Sequence, residues 1–189
     1  MKSMLKRSLL VGLLMATVLT GVQAQGRFFT KTGRITFYSH APMEDIEAVN
    51  KTASAVLDAK TGQLQFAVLM KGFEFKKALM QEHFNENYVE SHKYPKAEFR
   101  GSIVNNNEVN YTKEGSYPVK VKGQLSLHGV TRQMEVPATI QVQGGRVDGT
   151  ATFTLGVSDF RITIPSLMKE KISNNVKVTV QVKLEPLAS

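Results

Sequence analysis

The chain has 189 residues, with 24 lysines and arginines against 16 aspartates and glutamates, a formal net charge of +8 and no cysteine. Without cysteine the protein has no disulfide framework, no thiolate metal site and no thiol nucleophile. The basic residues are scattered along the chain and form no patch interleaved with aromatic residues, so nucleic-acid binding is not predicted.

Residues 1–24 have the pattern of a signal peptide. A basic start is followed by the apolar run Leu9–Leu19 and by the small-residue cleavage site Val22-Gln23-Ala24. The apolar run is shorter than the ~20 residues that a membrane-spanning helix needs. We therefore expect removal of this segment, a periplasmic or secreted location, and one domain formed by residues 25–189.

The first half of that domain alternates in the manner of β-strands. Arg34–Ser39, Glu44–Asn50 and Thr52–Ala59 are predicted as three separate strands. A tight turn at Lys60-Thr61-Gly62 then leads into a further strand, Gln63–Lys71. Four of its apolar residues share one face, namely Leu64, Phe66, Val68 and Met70.

One run has the pattern of a helix instead. From residue 76 to about residue 91 there is no glycine or proline. Apolar residues recur every four positions there and define one face, formed by Met80, Phe84 and Tyr88 and widened by Leu79. The pair Tyr94-Pro95 ends the helix, because proline disfavours helical geometry in the residue before it.

The second half of the chain returns to alternation. Lys96–Val104 is extended, residues 105–116 form an asparagine-rich surface loop, and a short helical turn is predicted near Leu167–Lys171. The remaining strands are predicted at Val119–Leu127, Gln133–Val142, residues 147–157 and Asn175–Glu185.

About eight half-buried strands joined mostly by short turns favour one antiparallel sheet. Closing the sheet removes exposed strand edges, and an eight-stranded barrel holds either packed side chains or one small ligand. The inward positions include large residues (Phe66, Met70, Phe99, Phe153 and Leu155) and small ones (Ala48, Ala53, Ala55, Gly123, Gly149 and Ala151). The pattern therefore leaves a filled and a hollow interior open. We predict an all-β fold, an antiparallel eight-stranded barrel with one amphipathic helix packed at its side or mouth.

Two segments of the chain have distinctive motifs. The first comprises Phe73–Phe75, His83–Tyr88 (HFNENY), Glu90-Ser91 and Lys93–Gly101 (KYPKAEFRG), and the second is Gly123–Arg132 (GQLSLHGVTR). Together these motifs resemble the YceI-like family. The resemblance covers nearly the whole chain after residue 24, although Arg34–Asn50 departs from the family pattern. It implies an exported bacterial protein with a lipocalin-like antiparallel barrel, in which characterised members of the family hold a polyisoprenoid or a similar long apolar lipid.

The resemblance and the strand parity together predict a lipid-binding protein. A polyisoprenoid or quinone-like chain would lie inside the barrel for transport, storage or sequestration, with no other cofactor. The residues predicted to contact it are Phe37, Phe66, Val68, Met70, Leu79, Met80, Phe84, Phe99, Leu125, Leu127, Ala151, Phe153 and Leu155. The alternative is a filled barrel without a ligand, whose surface docks another envelope protein.

Neither a metal site nor a catalytic site is predicted. His83 and Glu86 have the spacing of a metal pair on a helix, and Glu90 lies one turn further along. A metal site needs a fourth ligand, which the sequence does not indicate. A hydrogen bond from His83 to the barrel is therefore the preferred interpretation. His128 precedes a turn glycine and is expected to pin its hairpin with Thr131. The sequence has no Gly-x-Ser-x-Gly motif, and its helix glutamates are spaced as one solvated face, so an enzyme is not predicted.

The expected partner is a long-chain apolar lipid. Removing the three basic residues of the signal peptide lowers the net charge from +8 to about +5 (8 − 3). A moderately basic surface is compatible with transient contact with anionic lipid head groups, although a plain solvated face is the simpler interpretation. The oligomeric state is not fixed by the sequence, and a homodimer stays open.

Overall fold

The computed structural model describes residues 26–187, and the predicted signal peptide lies outside them. Within that range the chain forms nine strands and one α-helix: β1 Arg27–His40, β2 Asp45–Asp58, β3 Gln63–Leu69, β4 Glu74–Phe75, α1 Ala78–His83, β5 Lys96–Ile103, β6 Gly115–Leu127, β7 Val130–Gln143, β8 Arg146–Gly156 and β9 Asn175–Pro186. No helix between residues 26 and 187 is long and apolar enough to cross a membrane.

Eight of the strands close into an antiparallel barrel. Their order is β1-β9-β8-β7-β6-β5-β3-β2, and pairing between β1 and β2 completes the cylinder. The short β4 adds to β2 through Ala48 opposite Phe75 and Val49 opposite Glu74. The predicted antiparallel eight-stranded barrel with one helix is confirmed, and β4 is an additional strand that the sequence did not indicate.

The predicted division of β2 into two strands at Lys51 is wrong. Asn50 is fully buried, and its side chain donates to the Leu69 carbonyl at 3.0 Å and accepts from the Thr52 amide at 2.8 Å. Opposite this point the register between β1 and β2 shifts on both sides of Gly33. A polar residue inside an irregular part of the ladder therefore interrupts the alternation without interrupting the strand.

β1 begins at Arg27, seven residues before the predicted start at Arg34. The irregular pairing around Gly33 explains the difference, because it breaks the alternation that identifies a strand. A β-carbon on Gly33 would lie 2.9 Å from the Ala53 carbonyl oxygen, so the two backbones meet where only glycine fits.

The helix is shorter than predicted. α1 has six residues, and Phe84–Tyr88 continue it as a π-helical turn, in which the Val89 amide donates to the Phe84 carbonyl at 2.9 Å. β3 likewise ends at Leu69, and residues 70–72 form a 3₁₀ turn. The predicted turn near residues 167–171 is a 3₁₀ turn at Ser166–Met168.

One end of the barrel is closed by packing. Tyr111 stacks on Phe28 with ring centroids 6.1 Å apart, and its hydroxyl donates to Asn106 Oδ1 at 2.7 Å. Asn106 in turn donates to the Ala59 carbonyl at 2.9 Å. Burial raises the pKa of Tyr111 to about 12, so its hydroxyl stays neutral at this closed end of the barrel. The opposite end carries α1 and the long connection between β8 and β9.

Candidate functional site

The barrel is hollow. A cavity of about 630 Å³ runs through its interior and opens at the end that carries α1. Packed protein interiors hold few voids larger than a water molecule, whereas ligand pockets typically measure ~300–1,000 Å³. The sequence was compatible with a filled or a hollow barrel, and the structure shows the hollow one.

The inward faces of the strands supply most of the cavity wall. The structure places every predicted ligand-contacting residue on this wall: Phe37, Phe66, Val68, Met70, Leu79, Met80, Phe84, Phe99, Leu125, Leu127, Ala151, Phe153 and Leu155. Gln65, Lys122 and Thr154, which alternate with them, are exposed on the outside. The placement establishes the register of the strands, and contact with a ligand stays a prediction.

Only some of the small inward residues create the open space. Gly149 and Ala151 line the cavity. Ala48, Ala53 and Ala55 are 0%, 0% and 1% exposed because neighbouring side chains cover them.

Gly123 does not contribute to the open space either. A β-carbon on it would lie 2.7 Å from the Phe99 ring and 2.5 Å from the Gly101 Cα atom. The ring of Phe99 therefore fills the gap that these two glycines leave, and the cavity is bounded there by an aromatic face.

An aromatic cluster holds the helical segment over the barrel. The ring centroid of Phe84 lies 5.5 Å from that of Phe37, 5.7 Å from that of Phe73 and 5.0 Å from that of Phe75. Aromatic pairs at such separations stabilise one another by ~0.5–1.5 kcal/mol beyond the area that they bury. Phe73 and Phe75 also line the cavity, although only Phe37 and Phe84 of this cluster were predicted to do so.

The connection between β8 and β9 contributes wall residues that the sequence analysis missed. Ile162, Ile164, Met168 and Ile172 line the cavity from this connection. The alternation Arg161-Ile162-Thr163-Ile164 is the signal that could have revealed them, but four residues are too few to separate a lining segment from an ordinary loop.

His128 does not pin its own hairpin, contrary to the prediction. Thr131 bonds Ser126 at 2.7 Å, whereas the ring of His128 lies 3.0 Å from the Phe160 carbonyl through Nδ1 and 2.8 Å from Glu90 Oε2 through Nε2. The side chain of His128 is only 10% exposed. It therefore joins the β6–β7 turn to the end of the helical segment and to the β8–β9 connection.

Both partners of the His128 ring are acceptors. A carbonyl oxygen cannot donate a hydrogen bond, and a carboxylate accepts unless it is itself protonated. A hydrogen bond to the Phe160 carbonyl therefore requires a proton on Nδ1, and one to the Glu90 carboxylate requires a proton on Nε2. Because a carboxylate is charged, the contact to Glu90 is a charge-assisted hydrogen bond, which is stronger than a neutral one.

The same junction holds the strained backbone of the molecule. Glu90, His128 and Arg161 are the non-glycine residues with positive φ between residues 26 and 187, at 44°, 50° and 58°. Side chains other than glycine rarely adopt this region, so the surrounding contacts must maintain it. The Glu90–His128–Phe160 contacts do this where the three segments meet.

Glu90→Gln should make the stability of the protein less sensitive to acid. The hydrogen bond from His128 holds the pKa of the Glu90 carboxyl below its usual range, and nearby Lys93 adds to this effect. A carboxyl group whose pKa is lower in the folded than in the unfolded state stabilises the fold at pH values above its unfolded pKa. This contribution is lost as the pH falls through the pKa of the folded state. Urea melts from neutral pH to about pH 3 should therefore show a smaller loss for Glu90→Gln than for the wild type. Parallel losses would contradict a stabilising Glu90–His128 pair.

The remaining polar candidates do not form a metal site. Within residues 26–187, no three histidine, aspartate or glutamate side chains are grouped to hold an ion. His83 is exposed at the cavity mouth, and within the described part of the chain its ring makes no hydrogen bond, so the predicted bond to the barrel is wrong. Burial raises the pKa of Tyr88, which also lines the cavity, so its hydroxyl stays neutral.

Most of the ionisable residues of the cavity lie at its mouth. Glu44, Lys77, His83 and Lys171 line this end, and Lys77 donates to Glu44 at 2.8 Å. Glu98 lines the cavity from the first half of β5. The deeper wall, from the aromatic cluster to Val147 and Leu184, is formed mainly by apolar side chains. This arrangement suits an elongated apolar chain with a polar end at the opening.

Comparison with known proteins supports this picture of the fold. A polyisoprenoid-binding domain from Saccharophagus degradans, implicated in plant cell wall breakdown, aligns with a TM-score of 0.76 at 15% identity, over 86% of this chain and 99% of that one. BcnA from Burkholderia cenocepacia aligns with a TM-score of 0.67 at 17% identity, over 80% and 95% of the two chains. A YCEI protein from Campylobacter jejuni gives 0.58 at 17% identity, over 76% and 86%.

At these identities the structural matches establish a shared fold and nothing finer. A search of curated proteins finds no significant match. The sequence itself matches the family model of the YceI-like domain over residues 14–184, which is most of the chain. The chain therefore belongs to the YceI-like family, as its two sequence motifs indicated.

Proposed function

We propose that the protein binds one long apolar lipid, a polyisoprenoid or a quinone-like chain, inside the barrel. The observation that carries this proposal is the cavity of about 630 Å³ with an apolar wall and a charged mouth. The name of the Saccharophagus degradans domain, a polyisoprenoid-binding domain of the same fold, supports it.

The binding energy of an apolar chain is sufficient for this role. Each buried methylene contributes ~0.8 kcal/mol, so a five-carbon isoprene unit contributes up to about 4 kcal/mol. A few units offset the entropy that the lipid and the protein lose on association. The chain then provides the affinity, and the residues at the mouth act on the polar end alone.

We further propose that the protein works in the periplasm, where it transports, stores or sequesters the lipid without altering it. The signal-peptide pattern of residues 1–24 supports the location, and the family is one of binding proteins. The alternative of a filled interaction module requires a packed interior, which the cavity argues against.

Mass spectrometry of lipid extracted from the purified protein tests this function. The protein is purified from the periplasmic fraction of its own bacterium without detergent, and the lipid content is compared with that of a denatured sample. We expect one long-chain apolar lipid per protein and saturable binding of a fluorescent polyprenyl probe by the delipidated protein. Protein that carries no lipid and does not bind the probe would contradict the proposal.

A further inference from the structure

Three segments form the rim of the cavity mouth. They are the β1–β2 turn (residues 41–44), the start of the helical segment (residues 76–80) and part of the β8–β9 connection (residues 165–172). The Met43 amide donates to the Glu170 carbonyl at 2.8 Å, which ties the first segment to the third. Lys77 donates to Glu44 at 2.8 Å, which ties the first to the second. These two bonds join the three segments into one surface at the opening.

Each rim segment exposes a large apolar side chain. Met43 is 68% exposed, Leu79 60% and Leu167 91%. A single exposed leucine is ordinary, but three such side chains around one opening indicate a surface that something covers. Leu79 and Met168, the neighbour of Leu167, also line the cavity, so the apolar rim continues directly into the apolar wall.

The same segments carry a small excess of positive charge. The rim has four lysines, Lys76, Lys77, Lys169 and Lys171, against two acidic residues, Glu44 and Glu170, a net charge of +2 (4 − 2). Beside the rim, Asp45 pairs with His40 at 2.6 Å. Apolar tips flanked by lysines are typical of surfaces that lie in a membrane interface and contact anionic head groups.

We propose that this rim docks on the surface of a lipid bilayer that contains anionic lipids. Met43, Leu79 and Leu167 enter the interface, the lysines contact the head groups, and the cavity mouth faces the membrane. This inference rests on the proposed function: a long apolar chain is costly to expose to water, so transfer is favoured where the cavity opens directly onto the bilayer.

The test uses a double variant, Met43→Ser with Leu167→Ser. Both side chains lie on the rim and neither lines the cavity, so the variant removes the apolar tips and leaves the ligand wall intact. Val104→Ser is the matched control. Val104 is 58% exposed and directly follows β5 at the closed end of the barrel, opposite the end that carries the rim.

Flotation with vesicles measures docking. The wild-type protein and Val104→Ser should float with vesicles of equal parts phosphatidylethanolamine and phosphatidylglycerol, and less well with phosphatidylcholine alone. The double variant should bind the first vesicles at least about tenfold more weakly, since it loses two buried apolar side chains. Extraction of a fluorescent polyprenyl probe from these vesicles should slow by a similar factor.

A second measurement separates this inference from the proposed function. Probe delivered from dilute ethanol, without vesicles, should bind the double variant and the wild type equally. Wild-type protein that does not float, or a double variant that floats as well as the wild type, would overturn the docking surface even if the probe binds. Equal flotation on phosphatidylcholine would overturn the role of the lysines. A probe that binds the wild-type protein neither from vesicles nor from dilute ethanol would instead overturn the proposed function.

Discussion

Phe84→Ala is expected to destabilise the protein by about 3 kcal/mol, at the lower end of the range for a phenylalanine deleted from a core. The ring of Phe84 is half-buried and lies within 5.7 Å, between centroids, of the rings of Phe37, Phe73 and Phe75. Its removal leaves three aromatic side chains without their shared neighbour at the point where the helical segment meets the barrel. Urea unfolding curves measure the change, and the loss of wall area should also weaken binding of a polyprenyl probe.

Glu86→Ala is the matched control for this prediction. Glu86 lies in the same π-helical turn but is exposed, so its replacement should change the free energy of unfolding by no more than about 0.5 kcal/mol. Equal unfolding midpoints for the two variants would mean that the helical segment is not docked through Phe84.

The barrel could be predicted because its strands have regular local patterns. In β6, Val119, Val121, Leu125 and Leu127 alternate with polar residues, and a register error of one residue would turn all of them outward. Such alternation is visible within a few residues of sequence. It indicated most of the barrel strands, the antiparallel sheet and many of the strand side chains that line the cavity, although it divided β2 and missed β4.

The errors fall where a structure depends on contacts between distant residues. The spacing of Met80, Phe84 and Tyr88 fits both a continuous helix and a short helix followed by a π-helical turn. The strain at Glu90 that ends this segment is maintained by His128, which lies 38 residues away in the sequence. Local pattern cannot show such a contact, and for the same reason the sequence assigned His128 to its own hairpin.

The interior volume was beyond sequence analysis for a related reason. Side-chain size alone does not show whether a small residue faces open space or a neighbouring ring. Gly123 is small but lies beneath Phe99, whereas Ala151 is small and faces the cavity. Only the pairing of β5 with β6, and of β8 with its neighbours, distinguishes the two cases.

Ala151→Phe is expected to abolish binding of a long polyprenyl chain. Ala151 lies near the middle of β8, opposite Val180 of β9, with Val147 towards the closed end and Leu155 towards the mouth. A phenyl ring at this position projects into the open space and separates the deep half of the cavity from the upper half. Titration with a long fluorescent polyprenyl probe should show at least a tenfold loss of affinity, because the buried methylenes of the deep half are forfeited at ~0.8 kcal/mol each.

Chain length gives this prediction a direct internal check. A geranyl-length probe needs only the upper half of the cavity, so Ala151→Phe should still bind it with nearly wild-type affinity. Thr152→Phe places the same ring on the exposed face of β8 and should bind both probes as the wild type does. Overpacking a filled core lowers the free energy of unfolding by ~1–3 kcal/mol, whereas a ring added to empty space does not. The lipid-free Ala151→Phe variant should therefore unfold at the wild-type urea concentration or above it. A variant that unfolds earlier and still binds the long probe would show that the chain does not reach the depth of Ala151.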